Sequence, residues 1–137
     1  MNDTVPTILY LDDDQDYLDA MRAILEAGGY RMVEARTAEE GLVAFREHRP
    51  DFVIVDLMME EVDSGTSFVK EVRAAGSYVP IYMLSSVGDD LARAVASSAL
   101  GLGGVLQKPV DREALLSILH AQLGARRGAT RAGGAAR

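Results

Sequence analysis

The sequence predicts an α/β fold in which a parallel sheet of five strands is covered by helices on both faces. Apolar runs and amphipathic helical segments alternate five times along the chain, with no internal repeat. The strand segments are almost continuously apolar, which is typical of parallel strands that are buried on both faces. The crossover connections that this order requires are right-handed almost without exception.

The first strand–helix unit is clearly marked. The apolar run at residues 8–11 is followed by three acids, of which Asp14 is expected to cap the next helix. Apolar side chains then recur at helical spacing over residues 17–25, and Gly28 begins the glycine pair that ends this helix. Residues 30–35 form a short second strand.

A capping box predicts the start of the second helix. In Thr37-Ala38-Glu39-Glu40, the hydroxyl of Thr37 and the carboxylate of Glu40 satisfy each other's backbone amides. This helix extends to about His48, and Arg49-Pro50-Asp51 breaks it before the third strand. The remaining elements are, in chain order, a helix over 65–75, a strand over 78–85, a weak Ala- and Ser-rich helix over 89–100, a short strand over 105–107 and a final helix capped by Asp111.

Length and composition indicate one soluble domain. The chain has 137 residues and no cysteine, so disulfides, thiolate zinc sites and cysteine nucleophiles are excluded. A chain of this size can bury roughly two thirds of its unfolded surface. No signal peptide is recognisable, and no apolar stretch approaches the length that spans a bilayer. We therefore expect a cytoplasmic protein without a membrane partner.

Charge divides the chain into two parts. Residues 1–123 hold all 21 acids against 10 bases, a balance of −11, whereas residues 124–137 contain four arginines and no acid. An acidic body argues against nucleic acid as the main partner. The last segment is almost entirely Gly, Ala and Arg, which offers little apolar surface to bury. We predict a folded domain over 1–123 and a disordered tail over 124–137, with no DNA-binding domain.

Polar side chains stand at the ends of four predicted strands. The first strand ends in Asp12-Asp13-Asp14, the third in Asp56, the fourth in Ser85-Ser86 and the last in Lys108-Pro109. Ligands of open α/β sheets bind at the carboxyl ends of the strands, so these side chains can share one crevice. A strand that is buried on both faces has no structural use for a carboxylate at its end.

The strand order follows from the two acidic strand ends. In a flavodoxin-like order, 2-1-3-4-5, the first and third strands lie side by side with the switch point between them. Asp12, Asp13 and Asp56 then converge, and no other simple order makes these strands neighbours so directly. The predicted fold class is a flavodoxin-like (βα)5 doubly wound parallel sheet.

This constellation suits magnesium-dependent phosphoryl chemistry. Clustered carboxylates repel one another, and a hard divalent cation such as Mg²⁺ removes the conflict. A carboxylate screened in this way can attack phosphorus as a nucleophile. The ammonium of Lys108 and the hydroxyl of Ser85 can then stabilise the oxygens of the transferring group. No general base is needed, and both His48 and His120 lie on helices away from the strand ends.

Together these motifs resemble the receiver domain of two-component response regulators, the family of the single-domain chemotaxis regulator. The resemblance covers about residues 5–123. It implies that Asp56 is the phosphoacceptor, that Asp13 binds Mg²⁺ directly and that Asp12 binds it largely through water. The backbone carbonyl of Met58 would be a further metal ligand.

The resemblance also implies how the domain works. Ser85 would follow the phosphoryl group on activation, Lys108 would pair with it, and the Lys108–Pro109 bond would be cis. The chain would be a stand-alone regulator, phosphorylated by a sensor histidine kinase or a phosphotransfer protein and signalling through contacts with a downstream protein. It would be a monomer or a weak phosphorylation-dependent dimer. It would not be an enzyme beyond accepting and losing its own phosphoryl group.

Four positions depart from the family's usual pattern. Glu60 stands where the family usually has Pro, and its usual Gly falls at Ser64, one place before Gly65. The loop after Asp56 is therefore expected to carry extra acidic surface. Val105 replaces the aromatic ring whose rotation couples phosphorylation to the output face, and Val110 replaces a common Phe.

Other functions are compatible with the pattern to different degrees. A phosphorylation-independent adaptor of the same fold would bind its partner equally well after Asp56→Asn. An aspartate-nucleophile phosphatase of the haloacid dehalogenase class would need an acid at Met58, which cannot transfer a proton. An FMN carrier is disfavoured because the acids at Asp12-Asp13-Asp14 would repel the phosphate of the cofactor.

Overall fold

The computed structural model describes residues 5–56, 64–85 and 103–134. The predicted helix over 89–100 and residues Met58 and Glu60 lie outside these ranges. The elements are β1 (Thr7–Leu11), α1 (Gln15–Ala27), β2 (Arg31–Ala35), α2 (Ala38–His48), β3 (Phe52–Asp56), α3 (Ser64–Ala74), β4 (Ile81–Ser85), β5 (Gly104–Gln107) and α4 (Arg112–Gly134).

One parallel sheet organises the described residues. Its strand order is β2-β1-β3-β4-β5, which confirms the predicted fold class. Leu11 pairs with Val55 across β1 and β3, so the residues that follow them, Asp12 and Asp56, leave the sheet side by side. Asp56 is itself paired with Leu84 of β4, and the next residue along β4 is Ser85.

Two hydrophobic layers cover the sheet, and β1 supplies both. Successive side chains of a strand point to opposite faces, so Leu9 and Leu11 pack with side chains of α2 and α3. Ile8 and Tyr10 pack on the other face with side chains of α1 and α4. All five residues of β1 and of β3 are buried, as expected for central parallel strands. The polar residues that follow β1 and β3 therefore emerge from a fully packed part of the sheet.

Helix caps confirm the predicted starts and change one detail. The side chain of Asp14 accepts a hydrogen bond from the amide of Asp16 at 3.0 Å and caps α1. The hydroxyl of Thr37 accepts from the amide of Glu40 at 3.0 Å. The Glu40 carboxylate does not return to Thr37; it accepts from the amide of Arg36 at 2.9 Å, one residue earlier. The capping box thus ties the end of β2, as well as the helix start, into place.

The last helix extends beyond the predicted domain boundary at residue 123. The backbone of α4 is helical to Gly134. Ala and Arg are among the better helix formers and the segment has no proline, so the helix anchored by Leu115, Leu119 and Leu123 can continue past the core. Within the described ranges, no helix combines the length and apolarity needed to cross a membrane.

Close contact between α2 and β1 requires glycine at position 41. A Cβ at Gly41 would lie 2.6 Å from Leu11 Cδ2 and 3.1 Å from Phe68 Cε1. Both neighbours are fully buried, so any shift that makes room for the Cβ must displace other core side chains. Gly41→Ala is therefore expected to lower the free energy of unfolding by about 1–3 kcal/mol, the usual cost of overpacking a core. Urea denaturation measures this change.

Gly124→Ala is the matched control, since no heavy atom lies within 4 Å of a Cβ placed there in α4. It should stabilise the chain by about 0.5–1 kcal/mol, because alanine is the better helix former. Equal effects at the two glycines would contradict the close packing of α2 on β1.

Candidate functional site

The carboxyl ends of β1, β3, β4 and β5 bring the predicted site residues to one edge of the sheet. Carboxylate oxygens of Asp12, Asp13 and Asp56, here called the carboxylate cluster, lie within 4.8 Å of one another. The ammonium nitrogen of Lys108 is 3.4 Å from Asp56 Oδ2 and 3.6 Å from Asp12 Oδ2. The amide of Lys108 donates to the carbonyl of Ser85 at 2.8 Å and ties the end of β5 to that of β4.

Burial makes the charges of the site interact strongly. Asp12 is 0% exposed and Asp56 2% exposed, whereas Asp13 is half-buried. Coulomb interactions at a few ångströms are several times stronger in such surroundings than in water. Three carboxylates face one ammonium among the described residues, which leaves an excess of negative charge. A divalent cation would balance it, and an all-oxygen set of this kind fits Mg²⁺.

Ser85 adds an unmet hydrogen-bonding group beside the cluster. Its side-chain oxygen is fully buried, and among the described residues it has no hydrogen-bond partner. Leaving a buried hydroxyl without a partner costs about 1–3 kcal/mol. Because Ser85 ends the strand next to the Asp56 strand, an anion attached to Asp56 could supply the missing acceptor.

Both carboxylate oxygens of Asp12 have protein donors. Oδ1 accepts from the backbone amide of Asp14 at 3.0 Å. Oδ2 accepts from the hydroxyl of Tyr10 and also faces Lys108. Asp12 is thus held by three donors from different parts of the fold.

Tyr10 is a site residue that sequence analysis missed. It was interpreted as one apolar residue of a buried strand, yet its hydroxyl reaches Asp12. Burial, and then the hydrogen bond to Asp12 and the nearby negative charges, raise the pKa of the Tyr10 phenol far above its ordinary value, so it remains a donor. A signal was present in the sequence: residues i and i+2 of a strand share a face, and a buried tyrosine hydroxyl needs a partner.

Two further residues were also missed. The ammonium of Lys108 lies 4.2 Å from the centre of the Tyr17 ring, a cation–π contact. Arg36 donates to the backbone carbonyl of Asp13 at 2.9 Å and to the side chain of Gln15 at 3.4 Å. The Tyr17 ring therefore stabilises the ammonium of Lys108, and Arg36 holds the loop that carries Asp13.

Other predicted features of the site have mixed outcomes. The Lys108–Pro109 peptide bond is cis, as the resemblance implied. Val105 is half-buried and packs on the α2–α3 side of the sheet, whereas Val110 packs on the α1–α4 side. Met58, the predicted carbonyl ligand, and Ser86 lie outside the described residues.

Charge repulsion within the cluster should be measurable without any ligand. Asp13→Asn removes one of three like charges and is expected to raise the free energy of unfolding of the metal-free protein by about 1–2 kcal/mol. Mg²⁺ should then stabilise the variant less than wild type, because stabilisation by a ligand follows its affinity for the native state. Thermal unfolding in EDTA and in Mg²⁺ tests both statements.

Asp19→Asn serves as the control for this measurement. Asp19 is an exposed acid of α1 that accepts a hydrogen bond from Gln15 at 2.9 Å, away from the cluster. Its substitution should change neither stability in EDTA nor the effect of Mg²⁺ appreciably. A loss of stability in Asp13→Asn would mean that the carboxylates do not repel one another as their spacing indicates.

Sequence comparison relates the chain to known regulators. Residues 8–120 match the family model of the response regulator receiver domain. Transcriptional regulatory protein GlrR of Escherichia coli is 34% identical over 108 residues, which cover 79% of this chain and 24% of that protein. Response regulator MprA of Mycobacterium sp. strain KMS is 33% identical over 116 residues, or 85% of this chain and 50% of the relative. The chain thus spans half or less of the length of these curated relatives.

Solved structures agree with the sequence comparison. The response regulator receiver domain protein of Clostridium thermocellum has a TM-score of 0.81 and 26% identity, covering 90% of this chain and 98% of that one. Chemotaxis protein CheY4 of Vibrio cholerae has a TM-score of 0.77 and 29% identity, covering 86% and 98% respectively. With its sheet order, its acidic strand ends and these matches, the chain belongs to the response regulator receiver domain family.

Proposed function

We propose that this receiver domain accepts a phosphoryl group on Asp56 from a sensor histidine kinase or a phosphotransfer protein, in a reaction that requires Mg²⁺. The observation that carries this proposal is the carboxylate cluster, with Lys108 on one side and, beside it, the hydroxyl of Ser85, which has no hydrogen-bond partner among the described residues. The same strand ends thus carry excess negative charge, which a cation can balance, and the hydroxyl of Ser85, which can donate to an anion.

Among the three acids, we assign the role of nucleophile to Asp56. It ends the central strand, between the acids that follow β1 and the hydroxyl of β4. Asp12 is fully engaged by Tyr10, Asp14 and Lys108. In the transfer, an oxygen of Asp56 forms the new bond to phosphorus, while the bond from phosphorus to the donor nitrogen breaks and its electron pair leaves with the donor.

The neighbouring groups would stabilise the charge of the transferring group. Lys108 already lies within 3.4 Å of Asp56, so its ammonium can contact a phosphoryl oxygen after a small displacement. The hydroxyl of Ser85, which has no hydrogen-bond partner in the described part of the chain, can donate to a second oxygen. Mg²⁺, held by Asp13 and Asp56 and through water by Asp12, would neutralise the remaining negative charge.

The output would be a change in protein contacts. Phosphorylation draws Ser85 and Lys108 toward the new group, and these residues end β4 and precede α4. The surface around β5 and α4 is therefore where a downstream protein would sense the change. We expect a cytoplasmic monomer or a weak phosphorylation-dependent dimer. The same proposal holds that the regulator works alone, without a DNA-binding domain. The mass of the protein isolated from its own cells tests this statement.

A constitutive adaptor of the same fold is the second candidate, and Val105 favours it. This aliphatic side chain is half-buried on the α2–α3 side of the sheet, where the resemblance places a rotating ring. An adaptor would bind its target equally well before and after phosphorylation, and equally well as Asp56→Asn.

Acetyl phosphate and Mg²⁺ should add one phosphoryl group to the protein, as intact mass spectrometry would show. Asp56→Asn should abolish the gain because an amide cannot serve as the nucleophile. EDTA should abolish it in the wild type by removing the cation. Labelling that persists in Asp56→Asn would overturn the assignment, and absence of labelling in wild type would favour the adaptor.

Lys108→Ala should separate acceptance from signalling. Removal of one group that stabilises the transition state costs about a hundredfold in rate, so slow labelling with acetyl phosphate is expected. Once labelled, the variant should lack the NMR shift changes that wild type shows in the amides of β5 and α4. Lys70→Ala, on the exposed side of α3, is the control and should behave as wild type. Full shift changes in Lys108→Ala would show that the ammonium has no signalling role.

A further inference from the structure

The strand geometry of β1 places a phenol directly beneath an acid of the metal site. Tyr10 and Asp12 are two residues apart, so both side chains project to the α1–α4 side of the sheet. Both residues are 0% exposed. The Tyr10 hydroxyl therefore cannot turn to water, and it donates to Asp12 Oδ2.

The donors around Asp12 come from three separate parts of the fold. Tyr10 belongs to β1, Asp14 is the N-cap residue of α1, and Lys108 follows β5. The amide fixes Oδ1 at 3.0 Å. Lys108 is shared with Asp56 and would be drawn away by a phosphoryl group. The hydroxyl of Tyr10 is thus the side-chain donor to Oδ2 that would remain if Lys108 moved away.

We propose that Tyr10 is a positioning residue that sets the ion selectivity of the carboxylate cluster, by keeping Asp12 from direct contact with the cation. This inference rests on the proposed function, because it concerns the same metal site. With Asp12 held back, Asp13 and Asp56 are the carboxylates left for direct ligation.

The number of direct carboxylates decides which ion is preferred. Mg²⁺ requires near-ideal octahedral geometry, keeps several waters and is usually bound by one or two carboxylates. Ca²⁺ takes six to eight oxygens in looser geometry and gains from each additional carboxylate. A restrained Asp12 therefore favours Mg²⁺, whereas a released Asp12 adds a third carboxylate and favours Ca²⁺.

Tyr10→Phe tests this directly, because it removes the hydroxyl and keeps the ring that fills the core. Isothermal titration calorimetry of the full chain with MgCl₂ and with CaCl₂ gives the two affinities. A hydrogen bond to a charged group is worth enough to change affinity by about tenfold, so Ca²⁺ should bind about tenfold more tightly to the variant. Mg²⁺ affinity should change by less than about threefold, since its geometry is already satisfied.

Tyr82→Phe is the matched control. Tyr82 packs in the same hydrophobic layer and stacks on Phe52 at 5.2 Å between ring centres, away from Asp12. Removal of the Tyr82 hydroxyl should leave the affinities for Mg²⁺ and Ca²⁺ unchanged. Thermal unfolding in EDTA establishes that each variant is folded before titration.

A double-mutant cycle with Asp12→Asn makes the role of Tyr10 specific. If the hydroxyl acts through Asp12, Tyr10→Phe should no longer shift selectivity in the Asp12→Asn background. Unchanged affinities in Tyr10→Phe, or a shift that persists in that background, would overturn the inference. Wild type that binds neither ion would overturn it together with the metal part of the proposed function. Wild type that binds Mg²⁺ but is never labelled by acetyl phosphate would refute phosphorylation alone, and the selectivity result would stand.

Discussion

Electrostatic repulsion among Asp12, Asp13 and Asp56 is the constraint on which this site depends. Their oxygens lie within 4.8 Å of one another at a largely buried edge of the sheet. Isolated buried charges of one sign are costly, and the fold offsets that cost with donors on every side. Lys108 forms ion pairs with both Asp12 and Asp56, and the hydroxyl of Tyr10 donates a hydrogen bond to Asp12. Under the proposed function, the charge that remains would attract a cation and, with the cation bound, a phosphoryl group.

The proposed relay of a signal from this site depends on which of the two faces of the sheet carries aromatic side chains. Met83 pairs with Val105 across β4 and β5, and Tyr82 pairs with Gly104. The ring of Tyr82 fills the space above Gly104, where a Cβ would come within 2.8 Å of it. Tyr82 packs on the α1–α4 side, whereas Val105 packs on the α2–α3 side. Tyr82 therefore does not lie where the resemblance places the rotating ring.

Strand ends could be predicted from sequence because each depends on a local pattern. Asp12 and Asp56 follow apolar runs, and the strand order that joins them follows from general rules of α/β topology. The contacts of Tyr17 and Arg36 were not predicted, because each joins a side chain to a group whose position the apolar pattern does not specify. The contact of Tyr10 with Asp12 was missed although its signal is local, since residues i and i+2 of a strand share a face. Lys108, for example, reaches Tyr17 only because α1 and the end of β5 meet in three dimensions. Hydrophobic patterns locate helices and strands, but they do not show which polar side-chain groups from different elements come into contact.

The most direct test of the account is to identify the residue that carries the phosphoryl group. An acyl phosphate is reduced by borohydride to an alcohol, which converts a phosphorylated aspartate into homoserine that peptide mass spectrometry can locate. The account predicts homoserine at position 56 alone, since Asp56 lies between the cluster, Lys108 and the strand that ends in Ser85. Homoserine at position 12 or 13 would contradict it, because those acids would then be nucleophiles and not the residues that hold the metal.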